Sequence, residues 1–250
     1  MTLHLIEMPI ALKDLHQWAA GRNLGRGVFD EGLALHHLLG EIFGPAVLQP
    51  FRLMLAPRAK HGTLYAYAGA DASELRTSAR QSLTPSLDEV VPLDRMRSIS
   101  RPETAWTAGQ RLGFDVRLRP VVRLANAMSG TTASGEAVRF AKGAEIDAFL
   151  ARSMRQESAS REAVYIDWLA ARLAPVAELE PDASRLTSFR RLSVTRKGRS
   201  LEGPDAAVHG TLRIVDPLGF ADRLARGVGR HRAYGFGMLL LRPPQRTAPC

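Results

Sequence analysis

Two stretches of this sequence concentrate groups that bind oxyanions. From Gly227 to Gly237 the run GVGRHRAYGFG sets four glycines around Arg230, His231, Arg232 and Tyr234. An arginine offers a phosphate a planar fork with two hydrogen bonds and keeps its charge. Glycine admits positive φ and lets another backbone approach closely, so Gly227, Gly229, Gly235 and Gly237 suit a turn, a ligand contact, or both. The spacing is not G-x-x-x-x-G-K-[ST], and the run follows a helix pattern rather than a strand, which excludes a nucleotide phosphate loop. The second stretch, SRLTSFRRLSVTRKGR, holds Arg185, Arg190, Arg191, Arg196, Lys197 and Arg199 and no acid. On a β-hairpin such a row serves either a polyanion or the blocking of edge-to-edge pairing.

A third place where chemistry is possible is DEGLALHHLLGEIFG, with His36 and His37 side by side. Histidine titrates near neutrality and works as acid or base. Neighbours on a helix point about 100° apart, so the two cannot face one reacting group equally. The preceding glycine-punctuated loop, RNLGRG, adds Arg22 and Arg26. His4, His16, His61 and His209 form no H-x-x-x-H spacing, and Cys250 is the single cysteine. The residues therefore predict no metal site, no cofactor and no disulfide.

The charge distribution points the same way as the motifs. Lys and Arg number 34 against 25 Asp and Glu, and the 13 basic and four acidic residues from Ser184 onward account for the whole excess of nine. A C-terminal quarter this basic, in a chain otherwise neutral, is the footprint of a polyanion-binding face or of a solvated basic surface. No run of about 18 apolar residues exists to span a membrane. The start, MTLHLIEMPI, lacks the marks of a secretory signal, so a cytoplasmic protein is expected.

The elements that must position these groups come in two rounds. LHLIEMPI alternates as a strand, Ala11 to Ala20 is helical, and Asp30 to Gly44 opens with acids and carries Leu35, Leu38, Leu39, Ile42 and Phe43 at helical spacing. FRLMLAPR and GTLYAYAG read as an antiparallel pair, Asp71 to Ser82 as a helix, and Met96 to Ile99 as a weak strand. The second round starts with RLGFDVRLRPVVRL, read as one long strand with Arg117, Arg119 and Arg123 on one face, followed by a loop, NAMSGTTASGEA. A helix capped by Ser160 has Tyr165 and Trp168 as core anchors. Two β-like runs, a helix from Pro217 to Arg226, the glycine loop and the strand MLLLRP complete it. Both rounds are β-α-β-β-α-β, which predicts the α+β class with two tandem ferredoxin-like (RRM-like) domains, residues 1–105 and 110–250.

With these elements in view, GVGRHRAYGFGMLLL resembles the glycine-rich C-terminal motif of the CRISPR repeat-processing endoribonucleases of the CasE type, in the RAMP superfamily, where G-h-G-x-x-x-A-h-G-h-G-h-L-x-L (h apolar) precedes the last strand. DEGLALHHLLGEIFG, AVYIDWLAARL and VHGTLRIVDPLGFADRLARGVG resemble further segments of that family, in order. The resemblance, which extends to the type IV processing subunits, implies two ferredoxin-like domains and metal-independent cleavage of CRISPR precursor RNA within the repeat hairpin. It implies attack by the RNA's own 2′-hydroxyl, a 2′,3′-cyclic phosphate product, and retention of the mature crRNA with other subunits of a ribonucleoprotein effector complex. By its pattern His36 is the catalytic histidine, because Phe43 stands seven residues later. Several members carry a tyrosine three residues before the histidine; here that residue is Leu33, which shifts weight to Arg22 and Arg26 as electrostatic clamps. The basic hairpin, the glycine loop with its Arg230, His231 and Arg232, and Arg242 after the last strand are the implied RNA contacts. The other reading on the same fold is a non-catalytic crRNA-binding subunit.

Overall fold

Residues 2–24, 29–131, 137–196 and 199–244 are described by a computed structural model, residues 194–196 and 199–201 by their backbone alone. In β1 (Leu3–Ala11), alternation buries Ile6, Met8 and Ile10 in one apolar cluster with Leu15 of α1 (Leu12–Gly21) and Leu35, Leu38 and Leu39 of α2 (Glu31–Phe43). α2 starts where the Asp30 carboxylate accepts from the Leu33 amide at 3.0 Å, and it ends at Gly44, whose φ of 92° suits glycine. The pair β2 (Phe51–Met54) and β3 (His61–Ala68) follows, then α3 (Ala72–Ala79), which opens with a capping box of Asp71 and Glu74. After α4 (Pro85–Val90) comes β4 (Arg97–Arg101). These strands form an antiparallel sheet in the order β2-β3-β1-β4.

The second round repeats this plan with additions. It runs β5 (Arg111–Leu118), β6 (Val121–Arg123), β7 (Met128–Thr131), β8 (Ala137–Phe140) and β9 (Glu145–Asp147), then α5 (Ala148–Met154) and α6 (Arg161–Leu173). The long hairpin of β10 (Ala177–Arg196) and β11 (Arg199–Ile214), α7 (Pro217–Arg226) and β12 (Leu239–Arg242) complete it. The sheet order β10-β11-β5-β12 places β5, the first strand of the round, between β11 and β12, as β1 lies between β3 and β4. Two antiparallel sheets with one shared strand order are the tandem ferredoxin-like arrangement expected from the pattern. No helix among the described residues is long and apolar enough to cross a membrane.

The stretch from Arg111 to Leu124 is not one strand. β5 stops at Leu118, and after Arg119 and Pro120 the chain turns into β6, which pairs with β9 in a separate small sheet. Proline lacks the amide a central ladder requires, so the break falls there. Arg123 thus leaves the row of Arg117 and Arg119. The segment read as a loop, residues 126–137, contains β7, which pairs with β8. Ser160 caps α6 through the Ala163 amide at 3.1 Å, and Tyr165 and Trp168 are buried as expected.

The two sheets are joined by polar and apolar contacts. Leu3 and Tyr67 of the first sheet lie in the apolar cluster of the second, and the Tyr67 hydroxyl donates to the Leu239 carbonyl at 3.0 Å. Arg52 of β2 donates to one oxygen of Asp115 in β5, and His209 of β11 contacts the other. Burial lowers the Arg52 pKa to about 10, and burial, with the charges of Arg242 and Arg52, holds His209 below its ordinary value. At neutral pH His209 therefore meets Asp115 as a neutral donor, and Arg52 is the partner that balances the carboxylate.

Candidate active site

Gly32 makes the site possible. An ideal Cβ on it would lie 2.5 Å from the Tyr234 carbonyl oxygen, so only a glycine in the first turn of α2 lets the glycine loop rest its backbone on the helix. The loop's Tyr234 ring then stands beside His36, with centroids 5.0 Å apart and planes tilted by 58°. His36 is half-buried with its Nδ1 atom shielded from solvent. His37 is exposed, its ring edge-on to His36 at 5.4 Å.

Two cavities meet at this point. One, of about 540 Å³, is walled by Arg22, His36, His37 and Glu41; the other, of about 810 Å³, by Glu145, Arg226, Arg230, His231, Arg232 and Tyr234. Ala46 and Gln49 line both, so they form one groove running from α2 to the glycine loop. Arg22 and His36 thus share a wall. Among the described residues no group of three or more His, Cys, Asp or Glu is placed to hold a metal ion.

The loop is closed on itself and on the sheet. The Val228 amide donates to the Gly237 carbonyl at 2.8 Å, and the Gly237 amide to the Arg117 carbonyl at 2.7 Å. Gly227, Gly229, Gly235 and Gly237 all have φ between 72° and 81°. A side chain on Gly229 would strike the Trp168 ring, and one on Gly237 the Val228 backbone. The space the glycines leave open is therefore filled by the protein itself, and the loop offers its side chains to the groove.

Those side chains are partly engaged. Arg230 donates to Glu145 at 2.5 Å, the His231 ring contacts the other Glu145 oxygen at 2.9 Å, and Arg232 donates to the Arg226 carbonyl at 2.6 Å. The hydrogen bond to His231, with the charges of His231 and Arg230, outweighs burial and lowers the Glu145 pKa. Arg22 lies over the Trp18 ring and donates to Glu41 at 2.6 Å. Exposed pairs of this kind are worth about 0.2–1 kcal/mol, little enough for a phosphate to exchange into them.

The basic residues from Arg185 to Arg191 on β10 meet acids of β11 and backbone carbonyls. Arg190 donates to Asp205 at 2.8 Å, Arg191 lies 3.5 Å from Glu202, and Arg185 donates to the Ser184 carbonyl at 2.7 Å. Asp205 also takes both prongs of Arg117, whose guanidinium lies over Phe236 and reaches Glu31 of α2 at 3.9 Å. Burial alone would raise the Asp205 pKa, but Arg117 and Arg190 bring it below the ordinary carboxylate value. Burial raises that of Glu31 despite the opposing charge of Arg117. The root of the hairpin is tied in this way to the first turn of the helix bearing His36.

Arg242 lies over Gly113 and lines a different cavity with Arg101, Trp106 and Gln110. Arg26 and Lys197 lie outside the described residues, and Arg196 and Arg199 are described by backbone only. Sequence reasoning missed Gly32, Glu145 and the meeting of Tyr234 with His36. All three depend on contacts between remote segments, and no local pattern marks them.

The family model described as CRISPR associated protein matches residues 3–243. No curated protein sequence matches the chain. Among solved structures the fold is similar to that of the CRISPR endoribonuclease Cse3 bound to a 19-nucleotide RNA, with TM-score 0.63, 21% identity, and 97% of this chain and 100% of that one covered. Cse3 of Thermus thermophilus, bound to an RNA representing a pre-cleavage complex, gives TM-score 0.61 at 21% identity with the same coverage. The CRISPR-associated protein Cas6e of Escherichia coli str. K-12 gives 0.57 at 17%, again covering 97% and 100%. At such identities the likeness speaks for the fold, while the family match spans almost the full sequence: the chain belongs to the CRISPR associated protein family.

Proposed function

We propose that this chain is a metal-independent endoribonuclease that cleaves CRISPR precursor RNA within the repeat hairpin and keeps the mature crRNA as a subunit of a cytoplasmic effector complex. The observation that carries this reading is the groove in which His36 and Arg22 continue into Arg230, His231 and Arg232. RNA-bound Cse3 structures of similar fold support it. The unit of residues 1–105 supplies the catalytic helix, and that of 110–250 supplies the basic hairpin and the glycine loop.

In the reaction the 2′-oxygen attacks the adjacent phosphorus and the bond to the 5′-oxygen breaks. The 2′-hydroxyl loses its proton to a base and the departing 5′-oxygen gains one, leaving a 2′,3′-cyclic phosphate and a 5′-hydroxyl. His36 exchanges one of these protons. Arg22 and the loop arginines hold the phosphate and offset the charge that grows on it. Arg185, Arg190 and Arg191, with Arg196, Lys197 and Arg199 later in the sequence, follow the backbone of the stem, whose deep major groove gives side chains little to read.

Incubation with the host's own hairpin repeat in EDTA tests the reading. Cleavage ending in a cyclic phosphate is expected. Tight binding without cleavage would leave the non-catalytic crRNA-binding subunit, and neither binding nor cleavage would remove both. A second expectation concerns Glu145, whose carboxylate occupies the donors of Arg230 and His231. Glu145→Gln should tighten RNA binding by up to about fivefold, the worth of an exposed ion pair. Fluorescence anisotropy at two salt concentrations reads it; weaker binding would mean that Glu145 supports the loop instead of competing with RNA.

A further inference from the structure

One histidine cannot both take a proton and brace the phosphate it acts on. The groove holds a second group at the same place. Tyr234 is brought to His36 from 198 residues away in sequence by backbone packing on Gly32, and the amide of Tyr234 is itself fixed by the His231 carbonyl at 2.9 Å. The tyrosine lines the larger cavity and the histidine the smaller, with rings 5.0 Å apart, so a strand crossing from one cavity to the other passes both. On α2 itself the residue one turn before His36 is Leu33, which offers no polar atom. We infer that Tyr234 is a second catalytic residue, its hydroxyl donating a hydrogen bond to an oxygen of the scissile phosphate while His36 moves the proton.

This rests on the endoribonuclease reading above. The hydroxyl stays neutral and transfers nothing; it acts because the phosphate carries more negative charge in the transition state than in the bound substrate. Tyrosine suits the position because its ring packs against the histidine and its hydroxyl is a hydrogen-bond donor. The same packing makes the effect separable, since phenylalanine preserves the ring and removes only the donor.

Single-turnover cleavage of the hairpin repeat by Tyr234→Phe is the test, with affinity measured on a repeat carrying a 2′-deoxy substitution at the scissile nucleotide. The expected result is a cleavage rate lowered about tenfold or more, the effect of deleting a hydrogen bond to a charged group, with affinity and melting temperature unchanged. The pH profile should keep the wild-type shape at reduced height, because His36 still performs the proton transfer. His37→Asn is the comparator, since His37 also borders the smaller cavity. A Tyr234→Phe enzyme that cuts at the wild-type rate overturns the inference, as does a loss confined to affinity. A large rate loss in His37→Asn with none in Tyr234→Phe would assign the second group to His37. If the wild-type protein itself cuts no repeat, the endoribonuclease reading fails and takes this inference with it, whereas an active wild type with a normal Tyr234→Phe variant sinks the inference alone.

Discussion

His36→Ala should slow single-turnover cleavage of a hairpin repeat by about 10²-fold or more, the usual scale for removing a general acid or base, while RNA affinity stays nearly unchanged. The separation of rate from affinity follows from the layout of the groove. The cations proposed to meet phosphates belong to the loop after α7, to the β10–β11 hairpin and to Arg22, and Glu145, Asp205 and Glu41 hold Arg230, Arg190 and Arg22 in place. His36 is half-buried beside Tyr234, so its loss leaves a gap, and His36→Asn should be measured beside the alanine variant to show that the loss is chemical. Cutting at near wild-type rate by both variants would transfer proton handling to His37 or leave catalysis to the arginines alone.

The largest expected effect on stability comes from Asp115→Ala. Asp115 is buried between the sheets and holds Arg52 from one side and His209 from the other. Its removal strands the Arg52 guanidinium, whose pKa burial already lowers to about 10, without a counter-charge. Breaking a buried pair in this manner costs about 3–5 kcal/mol. Urea unfolding should report the loss, and because Arg52 belongs to the first sheet and Asp115 to the second, the transition should also broaden if the halves part. The double variant Arg52→Met, Asp115→Leu should recover most of the stability, since apolar replacements of both partners are often neutral. A single variant as stable as the wild type would show that the pair is not what holds the sheets together.

How far the fold could be read from sequence depended on where the information was local. Asp30 and Gly44 bracket α2, and the alternating runs of β2 and β3 bracket a turn, so each element stated its own limits. The stretch from Arg111 to Leu124 misled because its alternation continues through Pro120, although the second part pairs with β9 in another sheet. β7 and β8 were passed over because each is four residues long and half-buries one face with a single large apolar side chain or two, too short a period to mark a strand. In the site, His36 and Arg22 were reached through the resemblance, and the loop arginines through charge and glycine spacing. Glu145 was not, because its partners lie 85 and 86 residues away and one acid in KGAEIDAF carries no pattern. Glycine is a poor helix former, and only the Tyr234 carbonyl above Gly32 explains why a better one would not fit there.

The closure of the glycine loop bears on kinetics. Backbone hydrogen bonds from Val228 to Gly237, from Gly237 to Arg117 and from Tyr234 to His231, with five residues in positive φ, hold its shape from within the protein, so a strand that docks there finds a preformed seat. Binding to a preorganised surface forfeits less conformational entropy, and differences in affinity among related partners are then expressed mainly in how slowly each one leaves. A cleaved RNA that keeps the phosphate contacts of its precursor would have a long residence time on such a seat. The enzyme would act once and then serve as the holder of its own product.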